Sequence, residues 1–318
     1  MDKFPLVQAK LINKSFGHNK ILSRLNLEIY PGEIIGITGV SGAGKTTLLN
    51  VLSGLVNPDS GEILYNSTIL SKKNLQPLTL KKNKHKLKPY IGYSTQHPSF
   101  YEELKVYENL DFFGAMYDVP KAVRHKNIEI LIQLTGLGAS RNKVANSLSG
   151  GMRKRLDIAC ALIHNPKILF LDEPTSDLDP ILRRKVWQIV KELNKQGTTI
   201  LVSSHFLLEI EKLCTRIAIL HKGSIIKTID KPRAGEKQTS LLEIVVENNE
   251  ALIGELLKQN AINPEDVISE AGSLSIRTLN PTKLKAEVSK LCNKLCLKLE
   301  KCTETSEGLR EIFERVVR

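Results

Sequence analysis

The stretch Ile34–Thr47 reads IIGITGVSGAGKTT, an apolar run that leads directly into a glycine-rich loop and a Lys-Thr-Thr sequence. The run Ile34–Ile37 predicts a buried strand, and residues 45–54 have the pattern of a helix. Between them, Gly39–Thr46 matches the phosphate-binding pattern G-x-x-x-x-G-K-S/T in the strand-to-helix context that the pattern requires. This stretch therefore predicts an α/β fold with a nucleotide site at the end of a strand.

The same loop predicts how the nucleotide is held. Consecutive backbone N–H groups point into a concavity that accepts phosphate, and the N-terminus of the following helix adds a positive dipole. We expect Lys45 to reach the β- and γ-phosphates and the Thr46 hydroxyl to be a ligand of Mg²⁺. The predicted cofactor-binding residues of this loop are Gly39, Val40, Ser41, Gly42, Ala43, Gly44, Lys45, Thr46 and Thr47.

Two further motifs follow in the chain. Ile168–Leu171 is a continuous apolar run, as a strand buried on both faces requires, and Asp172 and Glu173 come directly after it. Acids at that point do not belong to a core, so they predict a functional site. Midway between the loop and the acids, Leu148–Met152 reads LSGGM and opens a predicted helix, which is again an anion-binding design. Because the chain already has one phosphate loop, this second anion site predicts contact with a nucleotide on another molecule.

The order and spacing of the three motifs resemble those of the ATP-binding cassette (ABC) ATPases over about residues 4–230. The resemblance implies a P-loop ATPase core, with a mixed sheet and a helical subdomain, and the cofactors ATP and Mg²⁺. It also implies that Asp172 holds Mg²⁺ through water and that Glu173 polarises the attacking water. Two cassettes of the family pack head to tail, so the LSGG segment of one subunit closes on the γ-phosphate in the other.

The resemblance extends to single residues. Gln96 ends a predicted strand and resembles the glutamine that senses Mg²⁺ and the water and links to the transmembrane partner. His205 resembles the switch histidine at the γ-phosphate, and Phe16 is similar to the aromatic residue that stacks on adenine, although a core role for Phe16 stays open. The implied nucleotide-binding residues outside the loop are Phe16, Ser149, Gly150, Gly151 and Asp179. The implied catalytic residues are Glu173, His205 and Gln96, and the implied metal ligands are Thr46, Gln96 and Asp172.

Composition limits the class of protein. A hydrophobic content of 41% and a charged content of 25% are ordinary for a soluble globular protein, and 318 residues favour two domains. No apolar run approaches the roughly 20 residues of a membrane span, and the start of the chain has no signal-peptide pattern. A transport function would therefore need a separate membrane chain. The five cysteines form no C-x-x-C pair, which favours a reducing cytoplasm over a disulfide framework or a zinc site.

The net charge of +12 is unevenly distributed, because residues 236–318 hold 12 basic and 14 acidic residues. Between Glu62 and Glu102 there is no acid, whereas the lysines there are Lys72, Lys73, Lys81, Lys82, Lys84, Lys86 and Lys88. A solvated loop is the leading interpretation of this segment, and contact with anionic lipid headgroups or an acidic partner is the alternative. Nucleic acid is disfavoured as a partner, because no stacking aromatic residues are interleaved with the lysines.

A change of pattern at residues 230–235 predicts two domains. We expect an ABC ATPase (nucleotide-binding) domain at 1–235, with its helical subdomain at about 97–165, and an accessory α+β domain at 236–318. In the second domain the predicted order is β-α-β-β-α-β followed by a helix, with the last strand at 295–302, which suggests a small ferredoxin-like fold. The tail looks like the accessory domain of many export-type ABC ATPases.

The leading hypothesis is an ATP-hydrolysing subunit of an ABC exporter, active as a homodimer that drives a separately encoded transmembrane permease from the cytoplasmic face of the membrane. Eight of the sixteen aromatic residues lie between Tyr90 and Tyr117 and could form a groove for a helix of the permease, with a purely core role as the alternative. Two other functions stay open. One is a soluble ABC ATPase acting on the ribosome or nucleic acid, and the other is an importer ATPase.

Overall fold

The computed structural model describes residues 4–70, 76–176, 178–231, 240–259, 261–270, 273–278, 280–305 and 308–317. The chain divides into two compact units, Met1–Lys231 and Pro232–Arg318, and each has its own hydrophobic core. Lys72, Lys73 and the predicted boundary at residue 235 lie outside the described residues.

The first unit alternates strands and helices along most of its length. In chain order its elements are β1 (Val7–Phe16), β2 (Asn19–Ile29), β3 (Ile34–Thr38), α1 (Lys45–Ser53), β4 (Ser60–Asn66), β5 (Pro77–Thr79), α2 (Leu80–Leu87), β6 (Ile91–Ser94), α3 (Val106–Met116), α4 (Lys121–Leu134), α5 (Gly150–Leu162), β7 (Ile168–Asp172), α6 (Pro180–Lys195), β8 (Thr199–Ser203), α7 (Leu207–Leu213), β9 (Arg216–His221) and β10 (Ser224–Asp230).

A six-stranded sheet forms the centre of this unit, in the order β10-β9-β3-β8-β7-β6. The strands β9, β3, β8, β7 and β6 run parallel to one another. β10 lies at the edge of the sheet and is antiparallel to β9. Every residue of β3, β7 and β8 is buried, as the apolar runs predict for strands covered on both faces. A second, antiparallel sheet has the order β2-β1-β4-β5. The predicted α/β fold with a mixed sheet is confirmed.

The parallel arrangement positions the candidate site. The phosphate loop follows β3, Gln96 follows β6, the two acids end β7, and His205 follows β8. Because the carboxyl ends of parallel strands lie at one edge of the sheet, these four segments gather there. The helices α3, α4 and α5 come between β6 and β7, and α3 begins with Glu108 Oε2 accepting a hydrogen bond of 2.9 Å from the Lys105 backbone N–H.

The described part of the lysine-rich segment is a strand and a helix rather than a loop. Leu80 and Leu87, which are seven residues or about two helical turns apart, are buried and hold α2 against the unit. Its lysines Lys81, Lys82, Lys84, Lys86 and the following Lys88 are exposed. The apolar pair therefore fixes the backbone of a segment whose cationic side chains remain in solvent.

The second unit is a small α+β sandwich. Its elements in chain order are β11 (Ser240–Val246), α8 (Asn249–Lys258), β12 (Val267–Glu270), β13 (Ser273–Thr278), α9 (Pro281–Lys294), β14 (Leu299–Thr305) and α10 (Leu309–Val317). The strands form an antiparallel sheet in the order β12-β13-β11-β14, so two strand-helix-strand units interleave in it. Leu242 and Ile244 of β11 pack with Leu252 of α8 and Val288 of α9 in its core.

One strand of this unit begins later than predicted. The pattern at 295–302 predicts a strand that starts directly after α9, but β14 begins at Leu299. The chain first leaves the helix through Cys296, whose φ of 53° is left-handed and ends the helical path. Within the described parts of both units, no helix combines the length and the apolar character that a bilayer span requires.

Candidate active site

The phosphate loop has the backbone geometry that an anion site needs. Gly44 caps α1 with a φ of 104°, a left-handed conformation that glycine adopts without steric cost. At Gly39 a Cβ atom would lie 2.2 Å from the backbone oxygen of Leu220, so no larger residue fits there. Thr46, on the first turn of α1, is exposed. The first N–H groups of α1 therefore open onto solvent, where a phosphate can bind them.

Lys45 is fixed at the centre of this loop. Its Nζ donates to the backbone oxygens of Gly39 at 3.0 Å and Val40 at 3.3 Å, and the residue is 8% exposed. The same ammonium lies 3.6 Å from Glu173 Oε1. A single cation thus connects the phosphate loop with the acids at the end of β7.

The carboxylate of Glu173 lies between two partners. One oxygen faces Lys45, and the other lies 2.6 Å from His205 Nδ1, which follows β8. Glu173 has a φ of 46°, a left-handed backbone that is uncommon for a non-glycine residue and is found most often at functional sites. His205 is exposed, whereas Glu173 is nearly buried. The pair can therefore present a fixed carboxylate to a water molecule at the open side.

Ser203 joins the two acids, and the sequence motifs did not identify it. Its Oγ donates to Asp172 Oδ1 at 2.6 Å and accepts from the Glu173 backbone N–H at 2.9 Å. Asp172 and Ser203 are opposite each other in the parallel pair of β7 and β8, and both are buried. A signal was present in the sequence, because a polar residue ends the apolar strand Thr199–Val202 two positions before His205.

The oxygen ligands suit Mg²⁺ as the metal. Asp172 offers a carboxylate and Thr46 an exposed hydroxyl, the hard oxygen donors that Mg²⁺ prefers. In the described part of the chain no three His, Cys, Asp or Glu side chains are grouped closely enough to hold a metal by themselves. This agrees with the usual Mg²⁺ site of a nucleotide enzyme, in which one or two protein groups and the phosphate oxygens share the ion.

Gln96 lies in an exposed loop that is attached to α5 by hydrogen bonds. Asp157 of α5 accepts hydrogen bonds from Ser94 and Ser99, and Lys154 Nζ donates to the backbone oxygen of Thr95 at 2.6 Å. Burial raises the pKa of Asp157 and lowers that of Lys154, while each of the two charges opposes the shift of the other. Neither residue was predicted, although two charges at i, i+3 before an apolar run on a helix are a readable signal.

The signature segment begins α5 and is separate from this cluster. Ser149 is the N-cap residue and is exposed, and its side chain caps no N–H group of the helix. Gly151 packs on Leu182 of α6, where an added Cβ would lie 2.4 Å from a methyl carbon. Among the described residues no hydrogen bond or ion pair joins Ser149 or Gly151 to Lys45, Asp172 or Glu173. Gly150 is exposed beside Ser149, so the start of α5 is free to contact another molecule.

The remaining predicted residues lie at the margins of the site. Phe16, at the end of β1, is 53% exposed, and Lys14 Nζ lies 5.3 Å from the centre of its ring. The exposed ring disfavours the alternative of a core phenylalanine. Asp179 caps α6, because its Oδ1 accepts from the N–H groups of Ile181 at 2.9 Å and Leu182 at 3.0 Å. This carboxylate has a structural role in addition to the predicted contact with nucleotide.

A phosphate loop after one parallel strand, with an acid pair at the end of another and a histidine on the carboxylate, defines a P-loop nucleoside triphosphatase. Comparison with known proteins gives the family within that class. A family model described as "ABC transporter" matches residues 22–176. The chain belongs to the ABC transporter family of ATP-binding proteins, and it is an ATPase subunit of a transporter.

Relatives of this chain include a resistance protein and an import protein. The linearmycin resistance ATP-binding protein LnrL of Bacillus subtilis is 34% identical over 70% of this chain and 68% of its own length. The methionine import ATP-binding protein MetN of Clostridioides difficile is 31% identical over 91% of this chain and 88% of its own length. A solved structure of the ATP-binding cassette MJ0796, a dimer in a post-hydrolysis state with ADP and Pi, is 28% identical with a TM-score of 0.61, over 71% of this chain and 99% of that one.

Proposed function

We propose that the chain is the ATP-hydrolysing subunit of an ABC exporter, which works as a homodimer with Mg²⁺ and drives a separate transmembrane permease from the cytoplasmic face of the membrane. The observation that carries the proposal is the carboxylate of Glu173, which lies 3.6 Å from Lys45 Nζ and 2.6 Å from His205 Nδ1. In this proposal residues 1–235 are the ATPase domain, and residues 236–318 are an accessory domain.

Each group of the cluster has a distinct part in hydrolysis. Lys45 and the N–H groups of its loop bind the β- and γ-phosphates. Bound Mg²⁺ would neutralise phosphate charge, with Asp172, Thr46 and Gln96 as the residues that hold it. Glu173 accepts a hydrogen bond from the attacking water, and His205 keeps that carboxylate in place. Little covalent help is needed, because positioning and charge neutralisation carry most of phosphoryl transfer.

The position of the signature segment at the exposed start of α5 supports a homodimer. The exposed start of α5 offers the Ser149 hydroxyl and free N–H groups to an anion, yet among the described residues no hydrogen bond or ion pair joins Ser149 to Lys45, Asp172 or Glu173 of the same chain. The dimeric cassette MJ0796, which is similar in fold and sequence, supports two subunits around bound nucleotide. We infer that Ser149 of one subunit completes the nucleotide site of the other.

A permease partner is supported by exposed aromatic residues on the helical part of the unit. Tyr101 is 48% exposed and packs edge-on against Phe112, with 4.8 Å between the ring centres. Met116, at the end of the same helix, is 57% exposed. Large apolar side chains that remain in solvent are typical of a surface that binds another protein. Phe100, by contrast, is buried, so part of the aromatic cluster belongs to the core.

The test uses the purified full chain with ATP and Mg²⁺. Glu173→Gln should lower kcat by about a hundredfold or more and accumulate an ATP-bound dimer in light scattering. Ser149→Arg should leave ATP binding intact but abolish turnover, while Ser147→Arg, on a neighbouring exposed residue, should retain it. Turnover at the wild-type rate in Glu173→Gln would remove this residue from its assigned role, and turnover in Ser149→Arg would remove the composite site.

A second candidate is the ATPase of an importer. It is favoured by the match to MetN, which extends over 91% of this chain and therefore into the second unit. Export is supported by the resistance protein LnrL, whose match covers 70% of this chain. Reconstitution of the chain with its permease in vesicles decides between the two, because ATP added outside drives cargo into the vesicle lumen for an exporter whose ATPase faces outward, and out of it for an importer.

A further inference from the structure

A buried carboxylate connects the signature helix with the loop that carries Gln96. Asp157 of α5 is 1% exposed. Its Oδ2 accepts from Ser94 Oγ at 2.5 Å, and its Oδ1 accepts from the backbone N–H of Ser99 at 2.9 Å and from Ser99 Oγ at 3.0 Å. Ser94 and Ser99 lie on either side of Gln96, so one side chain fastens both ends of the short loop.

A buried cation adds a third attachment. Lys154, one helical turn before Asp157, is 6% exposed and donates to the backbone oxygen of Thr95 at 2.6 Å. Its Nζ lies 4.0 Å from Asp157 Oδ2. Burying two charges is costly unless hydrogen bonds satisfy them. Most hydrogen bonds of Lys154 and Asp157 go to the Gln96 loop. The two buried charges are therefore stabilised only while this loop remains against α5.

The same helix begins with the signature. Ser149 is its N-cap, and Asp157 lies eight residues further on, which is about 12 Å along the helix axis. Arg155 stiffens this first part, because it donates to the backbone oxygens of Gly151 at 3.2 Å and Gly136 at 3.3 Å. A displacement of Ser149 therefore moves α5 as a rigid body, together with the residues Asp157 and Lys154 that hydrogen-bond to the Gln96 loop.

We infer that Asp157 is a positioning residue that carries a displacement of the signature to Gln96. The inference rests on the proposed function, in which Ser149 serves the nucleotide of the partner and Gln96 serves the nucleotide of its own chain. Closure of Ser149 on one site then sets the Gln96 loop of the other. The two ATP sites of the dimer are coupled through one helix in each subunit.

A double-mutant cycle separates this role from a merely structural one. Asp157→Asn keeps the size of the side chain and removes its charge, and should lower kcat on the order of tenfold with KM for ATP within about twofold. In a Gln96→Ala background the same change should have no further effect on kcat. Ile158→Val, at the next and equally buried residue, is the matched control and should leave kcat unchanged. An equal loss of kcat with and without Gln96, or no loss in Asp157→Asn alone, overturns the inference.

Hydrogen exchange of the nucleotide-free chain tests the fastening without catalysis. Asp157→Asn should speed exchange in residues 94–99 by about tenfold or more, and Ile158→Val should not. Unchanged exchange in this segment overturns the inference whatever the kinetic result. If exchange responds as expected but Ser149→Arg retains full turnover, the failure lies instead in the proposed composite site, and with it the coupling between subunits is excluded.

Discussion

Replacing Ser203 by alanine should raise the Mg²⁺ concentration that ATP hydrolysis requires, with only a modest loss of folding stability. The Ser203 hydroxyl donates to Asp172 Oδ1 at 2.6 Å, and no other described residue donates to that oxygen. It also accepts from the Glu173 N–H at 2.9 Å, but this N–H retains the Ser203 backbone oxygen at 3.2 Å as a second acceptor. The change therefore isolates one hydrogen bond, the one that fixes the rotation of the Asp172 carboxylate.

The magnitude follows from the burial and charge of the two partners. Ser203 is 0% exposed and Asp172 is 1% exposed, so water cannot replace the lost donor. A hydrogen bond to a charged group contributes about 1.5–3 kcal/mol, and we take about 2 kcal/mol for the loss of stability. In a unit that ends at Lys231, this lowers the melting temperature by roughly 4–8 °C. Loss of a residue that orients a metal ligand typically weakens metal binding by about 10–100-fold.

The assay is steady-state ATP hydrolysis at saturating ATP across a range of Mg²⁺ concentrations, with the melting temperature measured on the same samples. Ser203→Ala should raise the Mg²⁺ concentration at half-maximal rate by about tenfold or more. Ser204→Ala is the matched control, because Ser204 is also 0% exposed but its Oγ accepts from the uncharged backbone N–H of Phe206, at 3.0 Å. A lower melting temperature with an unchanged Mg²⁺ requirement, or an equal change of that requirement in Ser204→Ala, would refute the reasoning.

Three further predictions concern other parts of the chain. Burial lowers the pKa of His164 from 6.5 to about 4. The folded state therefore favours neutral imidazole, and as pH falls from 7 to 4 this residue should remove about 3 kcal/mol of the free energy of unfolding; His164→Gln should lack that part of the pH dependence in denaturant titrations. Burial raises the pKa of Cys214 to about 12 and also raises that of Cys160, whereas Cys296 is exposed; a thiol reagent followed by mass spectrometry should modify Cys296 first, and early modification of the buried pair would contradict the fold. Phe16→Ala should raise KM for ATP by roughly tenfold with little change in kcat, since stacking on a base contributes about 1–3 kcal/mol; an unchanged KM would exclude Phe16 from the adenine site.

Local patterns were sufficient for the elements that carry the motifs. The helix predicted at 45–54 ends at Ser53, and the strand predicted at 168–171 ends at Asp172. Both predictions rest on short apolar runs beside glycines or acids, whose conformation depends mainly on the residues themselves. The two residues Lys222-Gly223 between apolar strands are also a sequence signal for the hairpin of β9 and β10. In the structure they form a two-residue turn with φ values of 44° and 77°.

The contacts that organise the site could not be predicted in the same way. Ser203 meets Asp172 across two strands, and Asp157 meets Ser94 from a helix, and each pair is separated by more than 30 residues in sequence. Periodicity gives the face on which a residue lies but not its partner on another element. The left-handed backbone of Glu173 is also a tertiary effect, because no residue type beside it requires that conformation.

The different partners of the two neighbouring acids explain why they can have different functions. Glu173 lies within 4 Å of Lys45 Nζ and of His205 Nδ1, so a lysine cation and a histidine ring nitrogen hold its carboxylate. Asp172 is held by the neutral hydroxyl of Ser203, and in the described part of the chain it forms no ion pair with Lys, Arg or His. A buried carboxylate that has no cation in direct contact is costly in a protein. The cost is offset when a divalent cation binds beside it, so this arrangement favours Asp172 as the metal residue and leaves Glu173 to orient the water.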